Sequence, residues 1–354
     1  MPCLAHNLQL VIKDGLNLDK DFEKLINHVS TNIVSKSKQS SIIAAELRKL
    51  NKKLNKKNIT RWNSILFMVR SVLKISTEQL NSIRNSMPSR NRTELEAKNK
   101  FKLSDKEREM LEELKDVLEM FEFVTDEFQS NKINISRVYP AVKYLRDNLI
   151  PKDDNNQAIK YKYTNKLRKD LLESLDKRFG SLVNDDVFLV STFLDPNFGL
   201  GALHEDIQEI VKAKIIALVK IGEAKQVVLN TQNANNIIPQ KEQQLIDKRK
   251  VNYKKQKISQ FKPLDKYVDM TNEYICQIDQ LEYDGCPLKF WKENEARFPV
   301  LAEIARKYLG VPASSAAVER MFSISGHILS NKRTKMSIQL FCYLVFLKLN
   351  ENFL

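Results

Sequence analysis

Apolar residues in the first part of the chain recur at helical spacing. Leu8, Leu10, Val11, Leu16, Phe22 and Leu25 form a loose stripe with Gly15 near its middle, which predicts one or two amphipathic helices. In the run Arg48-Lys49-Leu50-Asn51-Lys52-Lys53-Leu54-Asn55-Lys56-Lys57 the leucines lie four apart and lysine covers most of the rest. That pattern predicts a basic helix end running into a loop. The clearest helix starts at Ser104, because Ser104-Asp105-Lys106-Glu107 spells a capping box. Met110, Leu111, Leu114, Val117, Leu118, Phe121, Val124 and Phe128 then keep a spacing of three and four, so one face of this helix must be buried. Val138 to Leu149, with Val142, Leu145 and Leu149, repeats the pattern, as does Leu167 to Phe179 with Leu171, Leu172, Leu175 and Phe179.

Val187-Phe188-Leu189-Val190 fits a short strand or a buried helix turn equally well. It leads into Leu194-Asp195-Pro196-Asn197, where Asp195 can bond forward to the backbone, so this residue reads as a turn former. From Glu223 to Lys266 the composition shifts to Gln, Asn and Lys, which cannot bury enough apolar surface to offset ordering and predicts a disordered linker. Its clusters Lys248-Arg249-Lys250 and Lys254-Lys255-Gln256-Lys257 fit a nuclear localisation signal, a phosphate-contacting strip or a merely solvated linker. Beyond it, Phe290, Trp291, Phe298, Leu301, Ile304, Ala305 and Tyr308 share helical spacing until Gly310 and Pro312 intervene. A further helix carries Val318, Met321, Phe322 and Ile324 on its apolar face, with Glu319 and Arg320 beside it. The last, from about Ser337 to Leu349, is apolar all round through Phe341, Leu344 and Leu347 and needs cover from its own core or another subunit.

Composition sharpens this picture. Only 8 Gly and 10 Pro stand against 29% charged residues in 354, too few turn signals for a sandwich or barrel, so the fold class is mainly α. A length above ~250 to 300 residues predicts more than one core. The net charge of +14 fits polyanion binding if it is concentrated on one surface, and fits plain solubility if it is not. The four cysteines, at 3, 276, 286 and 342, have no paired short spacing, so neither a disulfide framework nor a four-ligand zinc site is read from them. No apolar run approaches the ~18 residues of a bilayer span.

The segment Phe290-Trp291-Lys292-Glu293-Asn294, Arg297-Phe298-Pro299-Val300-Leu301 and Pro312-Ala313-Ser314-Ser315-Ala316-Ala317-Val318-Glu319-Arg320-Met321-Phe322-Ser323 resembles the carboxyl-terminal dimerisation segment of hAT-family DNA transposases. Further similarity lies in Cys3-Leu4-Ala5-His6, Thr60-Arg61-Trp62-Asn63-Ser64 and Leu194-Asp195-Pro196, so the resemblance covers nearly the whole chain.

The resemblance implies three segments: 1–222, a helical insertion region; 223–266, the linker; and 267–354, the dimerisation domain, with carboxyl-terminal helices of an RNase H-like fold whose core sheet is largely missing here. In that family two Asp and one Glu hold two metal ions that cut and join DNA, a chemistry that needs clustered carboxylates. Glu319 matches the Glu, whereas the two Asp precede the Cys-x-x-His motif at which this chain starts. The resemblance therefore implies no complete metal site and no nuclease activity in these residues, with Mg²⁺ expected only in an intact transposase. Arg61 and Trp62 match a motif whose indole stacks on a base and whose Arg reaches phosphate. Cys3 and His6 supply only two ligands, so a structural role is favoured over zinc. The expected function is that of a truncated or host-adopted hAT-like protein that acts in the nucleus as a homodimer or larger homo-oligomer, with DNA as a second partner and no membrane. Its dimerisation residues would be Phe290, Trp291, Phe298, Val318, Met321, Phe322, Phe341, Leu344 and Leu347. The alternatives are a fragment of an active cut-and-paste transposase and a helical scaffold with no DNA role.

Overall fold

The computed structural model describes residues 3–58, 62–129, 135–150, 159–181, 184–235, 263–279, 283–313, 316–329 and 336–351. Helices supply nearly all of the regular structure, and the described residues contain no strand. Val187 to Val190, one of whose readings was a strand, lies inside a helix, Asp186–Leu194, capped by the Asp185 carboxylate on the Val187 amide. A good cap and the burial of Phe188 to Leu194 override the β-branched residues there. Contacts divide the chain into two units, one formed by 1–131, 141–181 and 314–354, the other by 132–140 and 182–313.

The first unit contains α1 (Leu4–Leu18), α2 (Lys20–His28), a π-helical turn (Val29–Ser35), α3 (Lys36–Gln39), α4 (Ser41–Lys49), α5 (Asn63–Leu73), α6 (Thr77–Asn85), α7 (Arg92–Lys100), α8 (Asp105–Gln129), α9 (Val138–Leu149) and α10 (Asn165–Phe179). The break between α1 and α2 is set by Asp19, whose carboxylate accepts from the Asp21 and Phe22 amides. The capping box of α8 forms as its spelling predicts: the Glu107 amide donates to Ser104 Oγ at 3.3 Å and the Ser104 amide donates back to Glu107 at 2.9 Å. Leu111, Leu114, Leu118 and Phe121 of α8 are fully buried. Arg70 of α5 ties that helix to α8 by donating to Glu119 and Glu122.

α1 lies closely on α10, and Gly15 is the reason it can. A Cβ at Gly15 would stand 2.6 Å from Leu171 Cδ2 and 3.5 Å from the Leu171 amide nitrogen, in a core position where Leu171 is 1% exposed. Gly15→Val should therefore destabilise the protein by about 1 to 3 kcal/mol through overpacking. A urea-unfolding midpoint equal to that of the unaltered chain would mean that Leu171 turns aside at no cost.

The second unit contains α11 (Asp186–Leu194), α12 (Glu205–Asn235), α13 (Pro263–Asp279), α14 (Pro287–Glu293) and α15 (Pro299–Leu309), with a 3₁₀ turn at Ile135–Arg137. α12 continues through Glu223 to Asn235, so the shift in composition there does not end the helix. At the far end of the expected linker, residues 263–266 open α13, and 236–262, with both basic clusters, lie outside the described residues. The core is aromatic: Trp291, Tyr274, Phe298 and Phe193 are fully buried. Trp291 Nε1 donates to the Leu194 carbonyl at 2.6 Å, and the Tyr274 and Trp291 ring centroids lie 4.9 Å apart. Tyr274 donates to the Phe193 carbonyl at 3.2 Å, and burial together with the nearby Asp195 carboxylate pushes its phenol well above the usual range. Asp195 is a turn former, as its place before Pro196 predicts. Fully buried, it accepts from the Asn197 amide at 3.0 Å and from the Ser136 hydroxyl.

Candidate functional site

The carboxyl-terminal helices α16 (Ala316–Ile328) and α17 (Ile338–Leu349) pack against each other and leave much of their apolar surface uncovered. Ser337 caps α17 by accepting from the Leu340 amide at 3.2 Å. Within α17 only Val345 is buried, while Phe341 and Leu344 beside it are half-buried. Two stripes face outward. Ile338, Cys342, Phe346 and Leu349 make one, and Leu340, Tyr343 and Leu347 the other. On α16, Val318, Phe322 and, just past the helix end, Leu329 form a third exposed row, and Met321 is half-buried. Gly326 belongs to the same row, where a Cβ would meet nothing within 4 Å. With Ile338 82% exposed, Phe322 65% and Phe346 63%, this surface exceeds the scattered apolar residues normal on a monomer.

The residues expected to assemble therefore separate into two groups. Val318, Met321, Phe322, Phe341, Leu344 and Leu347 lie on the hairpin. Phe290, Trp291 and Phe298 do not face a partner: they are 3%, 0% and 0% exposed, spent on the core of the second unit. Their helical spacing was legible, but spacing alone does not distinguish a core from a contact face. Glu319 is on an exposed part of α16.

A second feature belongs to the first unit. A cleft of about 300 Å³ opens between α1, α2 and the start of α5. Ile12, Leu16, Ile26, Trp62 and Ile65 give it an apolar floor, and Asn17, Asn27 and Lys57 are among its polar walls. Trp62 immediately precedes α5 and is 7% exposed, so its indole serves first as core while it also lines the cleft. Arg61 lies outside the described residues.

Histidine and cysteine contribute less. His28, which had no visible partner in the sequence, has two: its Nε2 lies 3.0 Å from the Lys102 carbonyl oxygen, and Asn32 Nδ2 lies 3.0 Å from its Nδ1. Lys102 is far away in sequence, so no local spacing could announce it. Cys3 precedes α1, and His6 is exposed on it. Among the described residues no three His, Cys, Asp or Glu side chains converge as metal ligands. Nor is any helix among them long and apolar enough to cross a membrane.

Comparison with known proteins bears on the hairpin. Residues 264–350 match the hAT family C-terminal dimerisation region, a stretch from α13 through α17. Those residues are similar to that region. Human zinc finger BED domain-containing protein 4 is 19% identical over 356 residues, an alignment covering 98% of this chain and 29% of that protein. The chain thus spans less than a third of that relative's length. The match starts three residues before 267, where the resemblance puts the dimerisation domain, and takes in Tyr274, the aromatic on which the second core is centred. Its signal was present in Tyr267, Thr271, Tyr274 and Ile278, which recur at helical spacing beside a segment whose composition reads as linker.

Proposed function

We propose that the protein works by self-association through the α16–α17 hairpin, as a nuclear transposase-like protein that also touches DNA, and that cleavage is not carried by these residues. The supporting observation is the exposed apolar surface of the hairpin, which falls inside the stretch matching the hAT dimerisation region. Burying such rows contributes about 25 cal/mol per Å² of apolar area. A second copy supplies the complementary surface with no further partner. The RNase H-like setting of α16 belongs to this reading, with Glu319 on a helix whose neighbours assemble rather than cut. Sedimentation of the full chain should give a dimer or larger species that dissociates on dilution. A monomer at every concentration would sink the idea.

DNA contact is a second reading, favoured by the Trp62 cleft. An indole and aliphatic side chains lined up with amides and with Lys13 and Lys57, which outnumber the one carboxylate of Glu23, suit a base and its phosphate better than an aliphatic ligand. The catalytic alternative is settled by translating the genomic DNA upstream of Met1. Two Asp on strands, in frame, would restore it.

A further inference from the structure

The basic run that follows α4 is the most concentrated positive segment among the described residues, and its backbone is held in place. At its start Asn51 adopts a left-handed conformation with φ of 52°, tolerable for Asn, and the Lys52 amide donates to the Leu47 carbonyl at 2.9 Å. Leu54 is 4% exposed and fixes the middle of the loop in the core. The Asn55 amide donates to Ser71 Oγ at 3.0 Å, and the Asn58 amide donates to Ser64 Oγ at 2.7 Å. These anchors leave Lys53 and Lys56 exposed, with Lys52 half-buried between them and α4.

Four of the cations are not neutralised from within. Among the described residues, Arg48, Lys52, Lys53 and Lys56 form no ion pair, whereas Lys49 of the same run pairs with Glu46 at 2.7 Å, and Glu23, engaged by Lys20 at 2.8 Å, is also drawn on by Lys57. Holding like charges close together on a fixed backbone costs stability through mutual repulsion, a cost removed when a polyanion binds. Lys57 and Asn58 belong both to this loop and to the wall of the Trp62 cleft, so the charged edge and the apolar slot are continuous.

We propose that residues 48–58 form a preorganised docking edge for the phosphodiester backbone of a nucleic acid that leads a nucleotide toward the Trp62 cleft. The inference rests on the second reading above and adds to it where the phosphates lie. The chemistry favours nucleic acid over a lipid surface. Leu54 is buried and Leu50 half-buried, so Phe67 beside Asn55 is the one large exposed apolar side chain there, less than a lipid surface calls for, while the adjoining slot offers amides and an indole of the kind that suit a base. Because the anchors fix the backbone, binding orders only lysine side chains and saves the entropy of folding a loop.

The test is fluorescence anisotropy on the full chain, with labelled single-stranded and duplex DNA of the same mixed sequence as probes. Lys52, Lys53 and Lys56 changed together to Gln should weaken binding at least about tenfold near 0.1 M salt, and should flatten the dependence of log K on log salt by about 2 to 3 for duplex and about 2 for single strands. Changing the exposed Lys289, Lys292 and Lys307 to Gln removes the same charge elsewhere and should alter affinity less than about twofold. Equal losses in the two triple variants would mean that net charge alone acts, and would overturn the proposal. So would binding to anionic phosphatidylserine vesicles as tight as to DNA, or an unchanged salt slope in the loop variant. The variant Asn17→Leu tests the cleft separately. If it binds normally while the loop variant fails, the docking edge stands and the base-contact reading falls. If Asn17→Leu weakens binding and the loop variant does not, the docking edge falls and the cleft stands. Both probes responding alike to the loop variant places the contact on phosphate common to single and double strands, and a response confined to duplex or to single strands names which of the two the edge takes. Exposed lysines changed to Gln leave the core intact, which the thermal unfolding of each variant verifies.

Discussion

Phe322 and Phe346 replaced together by Asp should leave the chain monomeric at concentrations where the unaltered protein self-associates. Both side chains are more than 60% exposed in the single chain, at 65% and 63%, so the replacement takes nothing from either core. Burying a phenylalanine contributes about 1.5 to 3 kcal/mol. In a two-fold contact each position occurs twice. Even if only one of the two positions lies at the centre of the contact, the loss is at least about 3 kcal/mol, or more than about a hundredfold in Kd. Sedimentation across a range of concentrations reads the change, and far-ultraviolet circular dichroism should show unaltered helix content. A variant that still forms dimers would place the interface elsewhere. By contrast, Phe290→Asp would disturb assembly only by unfolding the core that contains Phe290.

Trp291→Ala should destabilise the second unit by about 3 to 5 kcal/mol. The indole is fully buried, stands against Tyr274 and Phe290, and gives its one hydrogen bond to the Leu194 carbonyl. Truncation leaves a large cavity beside a carbonyl that has lost a donor, and the helices around it cannot close over both. The protein has two tryptophans, so the variant keeps Trp62 as a fluorescence reporter for the first unit alone. Urea unfolding followed by Trp62 emission and by circular dichroism should then give separate transitions, with the shift confined to the second. A loss below about 1 kcal/mol would mean that the aromatic cluster is not what holds α11, α13 and α14 together.

The helical character of the chain was legible because its causes are local. The Ser104 capping box, the long stripe from Met110 to Phe128 and the Asp195 turn each form from neighbours in sequence, and each appears as its spelling predicts. At Val187 to Val190 strand and helix turn were equally open, because so short an apolar run carries no period to tell them apart, and the helix is what forms. A misreading concerns the candidate site. Phe290, Trp291 and Phe298 share their spacing with the residues of α16 and α17, and only tertiary burial separates the aromatic core from the uncovered hairpin. The Trp62 cleft was invisible for a related reason: its walls come from three helices and a loop, and amides such as Asn17 and Asn27 have no spacing that marks them as neighbours. The basic loop was visible as composition. What the sequence could not supply was its rigidity, which comes from Ser64 and Ser71 on the following helix.

The two outward stripes of α17 bear on stoichiometry. A neighbouring helix laid along Ile338, Phe346 and Leu349 leaves Leu340, Tyr343 and Leu347 facing water, so one contact does not exhaust the valence of the helix. Symmetric pairing closes an assembly only when each copy has a single self-complementary patch; a copy with a second patch can recruit another neighbour and go on to rings or open chains. The hairpin thus encodes adhesion without encoding a stopping point, and the size of the assembly depends on what else shields the second stripe.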